Sequence, residues 1–382
     1  MIPQRDTMGR LVTAGLALLA PPAAAQPTPA ASPAPAPRWT LRVSASGDWY
    51  DNAYFVGGDS ESTLSTNARA SLTHERGFRH GSFSLGGYGG VLYYPAEEGL
   101  DQAVYGGNLG LSWAPSPRTL IHFGQTYDRT NTRQLPPTDP QGPPLPTSGL
   151  DTATSTLGLT HGLSHRWQLG VDGAFTWRQY DAAALVGGRQ LDATAQLSRV
   201  LGRHDAAYVS YEYSSAWLEP ARTGTHVFLA GGRRRKEKGV SFELGGGAGY
   251  VERVARWYPA GLAGLTARGR RASLALSYDR DFGQAFGYGR DTVNDTATAT
   301  FGWTAARHLT LSAGCTLGYR RDPVVEDYTI RSLVASTGLV WQITKELGIG
   351  AGYSRERNET SGLETIDSNR VTVSVSYGRN WR

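Results

Sequence analysis

The chain has 382 residues, a formal net charge of +5, a single cysteine (Cys315) and 48 glycines. One cysteine excludes an intramolecular disulfide and any paired-cysteine metal site. The mild charge is spread over turns and matches no nucleic-acid module. Beyond the N-terminal segment no run of 18 apolar residues occurs, which excludes membrane-spanning helices. A negative mean hydropathy leaves a membrane barrel open, because alternation hides lipid-facing residues among polar ones.

The N-terminus carries Arg5 and Arg10, an apolar run from Leu11 to Ala20, and the small residues Ala23, Ala24 and Ala25. This pattern predicts a signal peptide over 1–25, cut after Ala25. Translation can begin at Met1 or at Met8. Residues 26–38 form a Pro/Ala tract, expected to be a stiff periplasmic spacer. The barrel is expected over 39–382.

From residue 39 onward, segments of alternating apolar and polar residues repeat to the C-terminus. In Leu309, Leu311, Ala313, Cys315, Leu317 and Tyr319 the interleaved residues are Thr310, Ser312, Gly314, Thr316, Gly318 and Arg320. A period of two puts each set on its own strand face. These runs suit a membrane-spanning strand, which needs about 9–11 tilted residues.

Two kinds of break alternate between the strands. Short, often basic ones lie at 76–80, 115–118, 163–166, 201–204, 235–239, 268–271, 305–308 and 344–346. Longer ones lie near 51–60, 95–100, 130–150, 181–188, 218–224, 254–257, 282–291, 321–326 and 358–365. Short periplasmic turns and longer extracellular loops are the outer-membrane pattern. The expectation is an all-β, closed antiparallel transmembrane β-barrel of 18 strands, in the outer membrane of a Gram-negative bacterium. The first, tenth and twelfth strands carry the weakest signal, so sixteen is the alternative count. The short turns recur about every 38 residues, a period near that of a propeller blade, but each repeat holds two long strands rather than four short ones.

The tryptophans fall in two groups. Trp39, Trp113, Trp167, Trp303, Trp341 and Trp381 lie beside short turns or the chain termini; Trp49, Trp177, Trp217 and Trp257 lie at the long-loop ends. Two aromatic belts at two interfaces account for this placement.

Parity assigns Arg42, Asp48, Arg69, Asp172, Arg178, Glu212, Glu243, Asp279, Arg320 and Glu356 to the lumen, together with hydroxyl rows such as Ser44/Ser46 and Thr310/Ser312/Thr316. This mixed-sign lining serves either as ion pairs that stiffen the wall or as a solute path; 18 strands are wide enough for an aqueous channel unless something plugs it. The Pro-rich loop 130–150 is the candidate plug. The basic turn around Arg233, Arg234, Arg235, Lys236 and Lys238 is expected to meet inner-leaflet phosphates. No G-x-S-x-G, H-E-x-x-H or paired-Cys motif occurs. His122 and Asp128 face inward, but six residues along a strand is about 20 Å. The chain therefore reads as a non-enzyme, without cofactor or metal.

The last strand, Arg370 to Tyr377, resembles the C-terminal strand read by the barrel-assembly machinery, with Tyr377 or Trp381 as the recognised aromatic. The hairpin before it carries Gly352-Tyr353-Ser354-Arg355-Glu356-Arg357 and Asn369-Arg370-Val371. It resembles the end of the β-barrel porins often encoded beside exopolysaccharide export genes. That resemblance implies an outer-membrane exit for a polysaccharide, with a periplasmic export protein as partner. A general or solute-selective diffusion porin is the second expectation, and a structural or adhesive surface barrel the third. Outer-membrane lipid is the remaining expected partner.

Overall fold

The computed structural model describes residues 37–52, 62–95, 101–132, 148–218, 221–236, 239–285, 290–325, 328–362 and 365–381. The signal-peptide segment, nearly all of the Pro/Ala tract and most of the proposed plug loop lie outside the described residues. The chain forms 18 strands in order: β1 Arg38–Tyr50, β2 Thr63–Phe78, β3 Gly81–Tyr93, β4 Gln102–Ser116, β5 Thr119–Asn131, β6 Gly149–Gly162, β7 Trp167–Tyr180, β8 Gly188–Val200 and β9 Asp205–Leu218. They continue as β10 Ala221–Lys236, β11 Val240–Val251, β12 Arg256–Arg268, β13 Ala272–Ala285, β14 Arg290–Ala306, β15 Leu309–Arg321, β16 Thr329–Gln342, β17 Leu347–Thr360 and β18 Ile366–Trp381. The first strand begins at Arg38, one residue inside the expected spacer.

Every strand pairs antiparallel with its chain neighbours, and β1 pairs with β18 from Trp39↔Trp381 to Tyr50↔Arg370. The closed barrel has 18 strands, not sixteen, and an even count lets an antiparallel sheet close without an edge. Closure follows from the membrane as solvent: in hydrocarbon, every backbone N–H and C=O needs a partner within the sheet.

The outer face is recognisable by what it leaves uncovered. Val43, Leu72, Leu111, Leu157, Val171, Val209, Leu244, Leu276, Leu317 and Val373 are all exposed, Leu244 at 70%. In a water-soluble fold such a surface would be a liability; facing acyl chains, it is the lipid contact. Nine of the ten tryptophans are exposed at the two ends of this face, and Trp177 is half-buried. Cys315 stands unbonded between Leu311 and Leu317 on the same face.

The extracellular side departs from the expected loops. Strands of 12 to 17 residues outrun the hydrocarbon and continue as hairpins above it. The connection expected at 218–224 shrinks to residues 219–220, because β9 runs to Leu218 and β10 starts at Ala221. Trp257 belongs to β12 rather than to a loop, and the 282–291 connection shortens to 286–289. Residues 130–131 and 149–150 of the expected plug loop are strand residues.

Apolar packing inside the barrel occurs at this same end. Leu185, in the connection after β7, packs with the inward Leu150, Tyr180, Ala216 and Leu218. A second cluster joins the inward faces of β10–β12 to the tip of β13–β14. The β12–β13 ladder stops at Gly261↔Arg280, so Arg256–Ala260 have no β13 partner. Pro259, in that stretch, has no N–H to offer another rung. Above this point the β13 tip leans inward. Phe282 shares outward parity with Tyr278 and Arg280, yet it buries against Val227, Val251, Ala260 and Val293. Its ring lies where a side chain at Gly249 would stand, which only glycine permits.

The orientation is testable with epitopes. A tag after Val324, in the outer connection 322–328, is expected to bind antibody on intact cells. A tag at Arg270, in the turn between β12 and β13, is expected to react only after the outer membrane is broken. Labelling of Arg270 on intact cells would invert the barrel.

Candidate functional site

The cross-strand register carries one continuous face around the barrel. Going from β5 to β10 it reads His122↔Gly158↔Asp172↔Thr194↔Glu212↔Val227. This face is opposite to the exposed apolar one. All ten sequence-predicted lining residues stand on it, because strand parity is preserved through each pairing.

The ten divide by surroundings. Asp48 is only 3% exposed; the Arg370 guanidinium donates to it at 3.0 Å and the Thr372 hydroxyl at 2.5 Å. Arg370 also lies over the Tyr50 ring at 5.3 Å. Glu243 accepts a forked pair of bonds from Arg233 at 3.0–3.3 Å. Asp172 meets His122 Nε2 at 3.1 Å. Arg69 stacks over Tyr88, whose hydroxyl donates to Asp128 at 2.7 Å. Arg320, 7% exposed, sits in the field of Asp281 and Glu356. These groups tie together strands one or two apart, each contact worth about 0.2–1 kcal/mol where water reaches it.

Three others are less tightly engaged. Glu212 and Arg42 are exposed, and Asp279 is half-exposed. Glu212 lies near enough to Asp192 and Asp281 for the carboxylates to repel one another, and Asp279 lies near Asp281 and Glu212. The intervening inward positions of β10 and β11 include Gly231, Gly245, Gly247 and Gly249, with the Tyr208 side chain over Gly231 and Gly245 and the Phe282 ring over Gly249, so no cation from these positions stands between the carboxylates. The β8–β13 wall is therefore acidic. Arg178 stands level with Thr152 and Gly188.

Several lining residues were missed by the sequence reading. Arg233 was assigned to a basic periplasmic turn, but β10 runs to Lys236 and turns Arg233 inward; its neighbour Arg234 faces out, 3.6 Å from Asp205. The basic run hid the alternation that begins at Phe228. Arg370 precedes Val371, Val373 and Val375, and parity alone would have placed it inside. The His122–Asp172 pair depends on Gly158 between them: a Cβ there would lie 2.0 Å from the imidazole and 2.2 Å from the carboxylate. Nothing local to either residue announces that contact. Tyr377 and Trp381 stand on the lipid face, opposite Val43 and Trp39. Most of the proposed plug loop lies outside the described residues; among those described, Leu185 and the β13 tip reach inward at the mouth.

No family model and no curated protein matches the sequence. Solved structures do match in three dimensions. Pseudomonas aeruginosa OpdQ is similar at a TM-score of 0.53 and 11% identity, over 91% of this chain and 98% of that one. Acinetobacter baumannii OccAB4 gives 0.52 and 12%, over 90% and 98%. Pseudomonas aeruginosa OpdO gives 0.52 and 14%, over 91% and 98%. The chain thus has the closed 18-stranded fold of outer-membrane porins and lies in the outer membrane of a Gram-negative bacterium.

Proposed function

We propose that this barrel is a diffusion porin: a passive aqueous path for small hydrophilic solutes, with a preference for cations. The observation that carries this reading is the acidic β8–β13 wall formed by Asp192, Glu212 and Asp279, with the more buried Asp281 shared with Arg320. A row of like charges with low-dielectric walls focuses the field and concentrates counter-ions. Hydroxyls complete a wettable surface; Thr298 and Thr316 stand 3.5 Å apart on adjacent strands. The likeness to porins supports this reading over polysaccharide export, which rests on the short C-terminal resemblance. It also supports a conduit over an enzyme.

Purified protein in a planar bilayer under a KCl gradient tests the proposal. Stepwise conductance is expected, with a reversal potential that favours potassium. Glu212→Lys combined with Asp279→Lys is expected to lower the cation-to-anion permeability ratio severalfold without unfolding the barrel. Absence of conductance from the folded wild type would refute the porin reading. A deletion strain separates the two conduits. Slower uptake of small solutes with normal surface polysaccharide is the porin outcome; loss of one polysaccharide with normal uptake is the export outcome.

A further inference from the structure

Four arginines on the outward face near the outer rim are already neutralised. Arg129 meets Asp151 at 2.5 Å, Arg280 meets Asp295 at 2.6 Å, Arg355 meets Asp367 at 2.6 Å, and Arg357 meets Glu359 at 2.8 Å. Arg331 of β16 is outward and exposed without such a pair among the described residues, and one further stretch of the rim aligns two such arginines in a row. The register aligns Trp177 of β7, Arg189 of β8, Trp217 of β9 and Arg222 of β10 in a single row. Their shared parity with Phe175 and Leu191 points them outward. Both arginines are exposed, and neither has an ion-pair partner among the described residues. Arg222 lies over the Trp217 indole at 5.3 Å and donates to Ser215 at 3.4 Å. The carboxylate of Glu252, at the neighbouring turn, is engaged by His226 at 2.9 Å. Below the row, toward the hydrocarbon, stand the exposed Phe175, Leu191 and Val171.

We propose that this Trp–Arg–Trp–Arg row is a binding site for a phosphorylated glycolipid of the outer leaflet. Strands lie about 4.8 Å apart, so guanidinium groups on β8 and β10 are roughly 10 Å apart, room for one phosphate each on a two-sugar headgroup. A guanidinium matches a phosphate through paired N–H donors. The indoles sit at headgroup depth, where amphipathic rings are favoured. The acyl chains follow the Phe175–Leu191–Val171 surface. Charge complementarity selects this occupant: two cations with no ion-pair partner among the described residues face a leaflet whose headgroups carry phosphate.

The test uses the whole folded barrel in detergent, titrated with diphosphorylated lipid A and with the same lipid stripped of phosphate. Tryptophan fluorescence reports binding. The wild type is expected to prefer the phosphorylated form by about tenfold or more, as two charge-assisted contacts allow. Arg189→Ala with Arg222→Ala is expected to abolish that preference. Arg199→Ala is the control: Arg199 lies over Trp167 at 5.2 Å, at the other end of the barrel, and its loss should change nothing. Heat-dependent gel mobility checks folding, and the single Arg189→Gln and Arg222→Gln variants repeat the measurement if the double variant fails to assemble. An undiminished preference without these two arginines, or no preference in the wild type, overturns the proposal. Loss of preference in the Arg199 variant overturns it too, and reverses the assigned orientation.

Discussion

Cys315→Arg is expected to destabilise the barrel far more than Thr316→Arg, its immediate neighbour. Cys315 faces lipid midway along β15, four residues from Leu311 on one side and four from Tyr319 on the other. Leu311 is level with Trp303 of the inner belt, and Tyr319 stands in the outer belt. An arginine at that depth cannot reach either headgroup layer without distorting the wall, and the cost there is about 2–4 kcal/mol. Thr316 faces the lumen, opposite Thr298, where an arginine is solvated. The readout is the urea midpoint of refolded barrel in lipid vesicles. Equal midpoints for the two variants would mean that the register of β15 is off by one residue.

Gly247→Ala is expected to impair assembly, whereas Gly246→Ala is expected to be silent. A Cβ at Gly247 would lie 1.7 Å from the carbonyl oxygen of Phe228 and 3.0 Å from the Leu229 Cα, both backbone atoms of β10. Backbone in a closed ladder cannot step aside as a side-chain tip can, so the strands must shift, at a cost of about 1–3 kcal/mol or more. At Gly246, one residue earlier and on the lipid face, nothing lies within 4 Å. The yield of heat-modifiable, folded protein measures both. Equal yields would show that the β10–β11 contact is looser than its geometry indicates.

Strand number, topology and the two belts were legible in the sequence because each rests on a local rule. Alternation gives faces, short basic breaks give turns, and tryptophans mark the interfaces. Loop lengths were less legible. The strands flanking 219–220 and 286–289 continue the ladder above the membrane with residues such as Thr223, Thr225 and Asn294, whose polarity reads as loop. Lining residues were legible one strand at a time, so Asp172 and Glu243 were found. Their partners were not: His122 is fifty residues from Asp172, and Arg233 lay inside a basic run. A contact across two strands depends on register, and register is fixed only once the whole wall has closed. The inward turn of Phe282 broke parity outright. Pro259, ten residues before the β12–β13 turn at 269–271, was the available sign that the ladder would stop short.

That interrupted ladder gives the barrel a weak seam. A closed wall spreads any opening over all its strands, but here five residues of β12 have no rung toward β13, while the same two strands stay fully laddered from Gly261↔Arg280 down to Arg268↔Ser273. Amide protons facing the seam should exchange with solvent well before those of the periplasmic half. On heating, the wall should part at Pro259 and unzip toward the turn at Arg270, with Phe282 first to leave its apolar seat. An exposed β12 edge would then be a template for a stray strand, and Pro259 limits how well such a strand could dock.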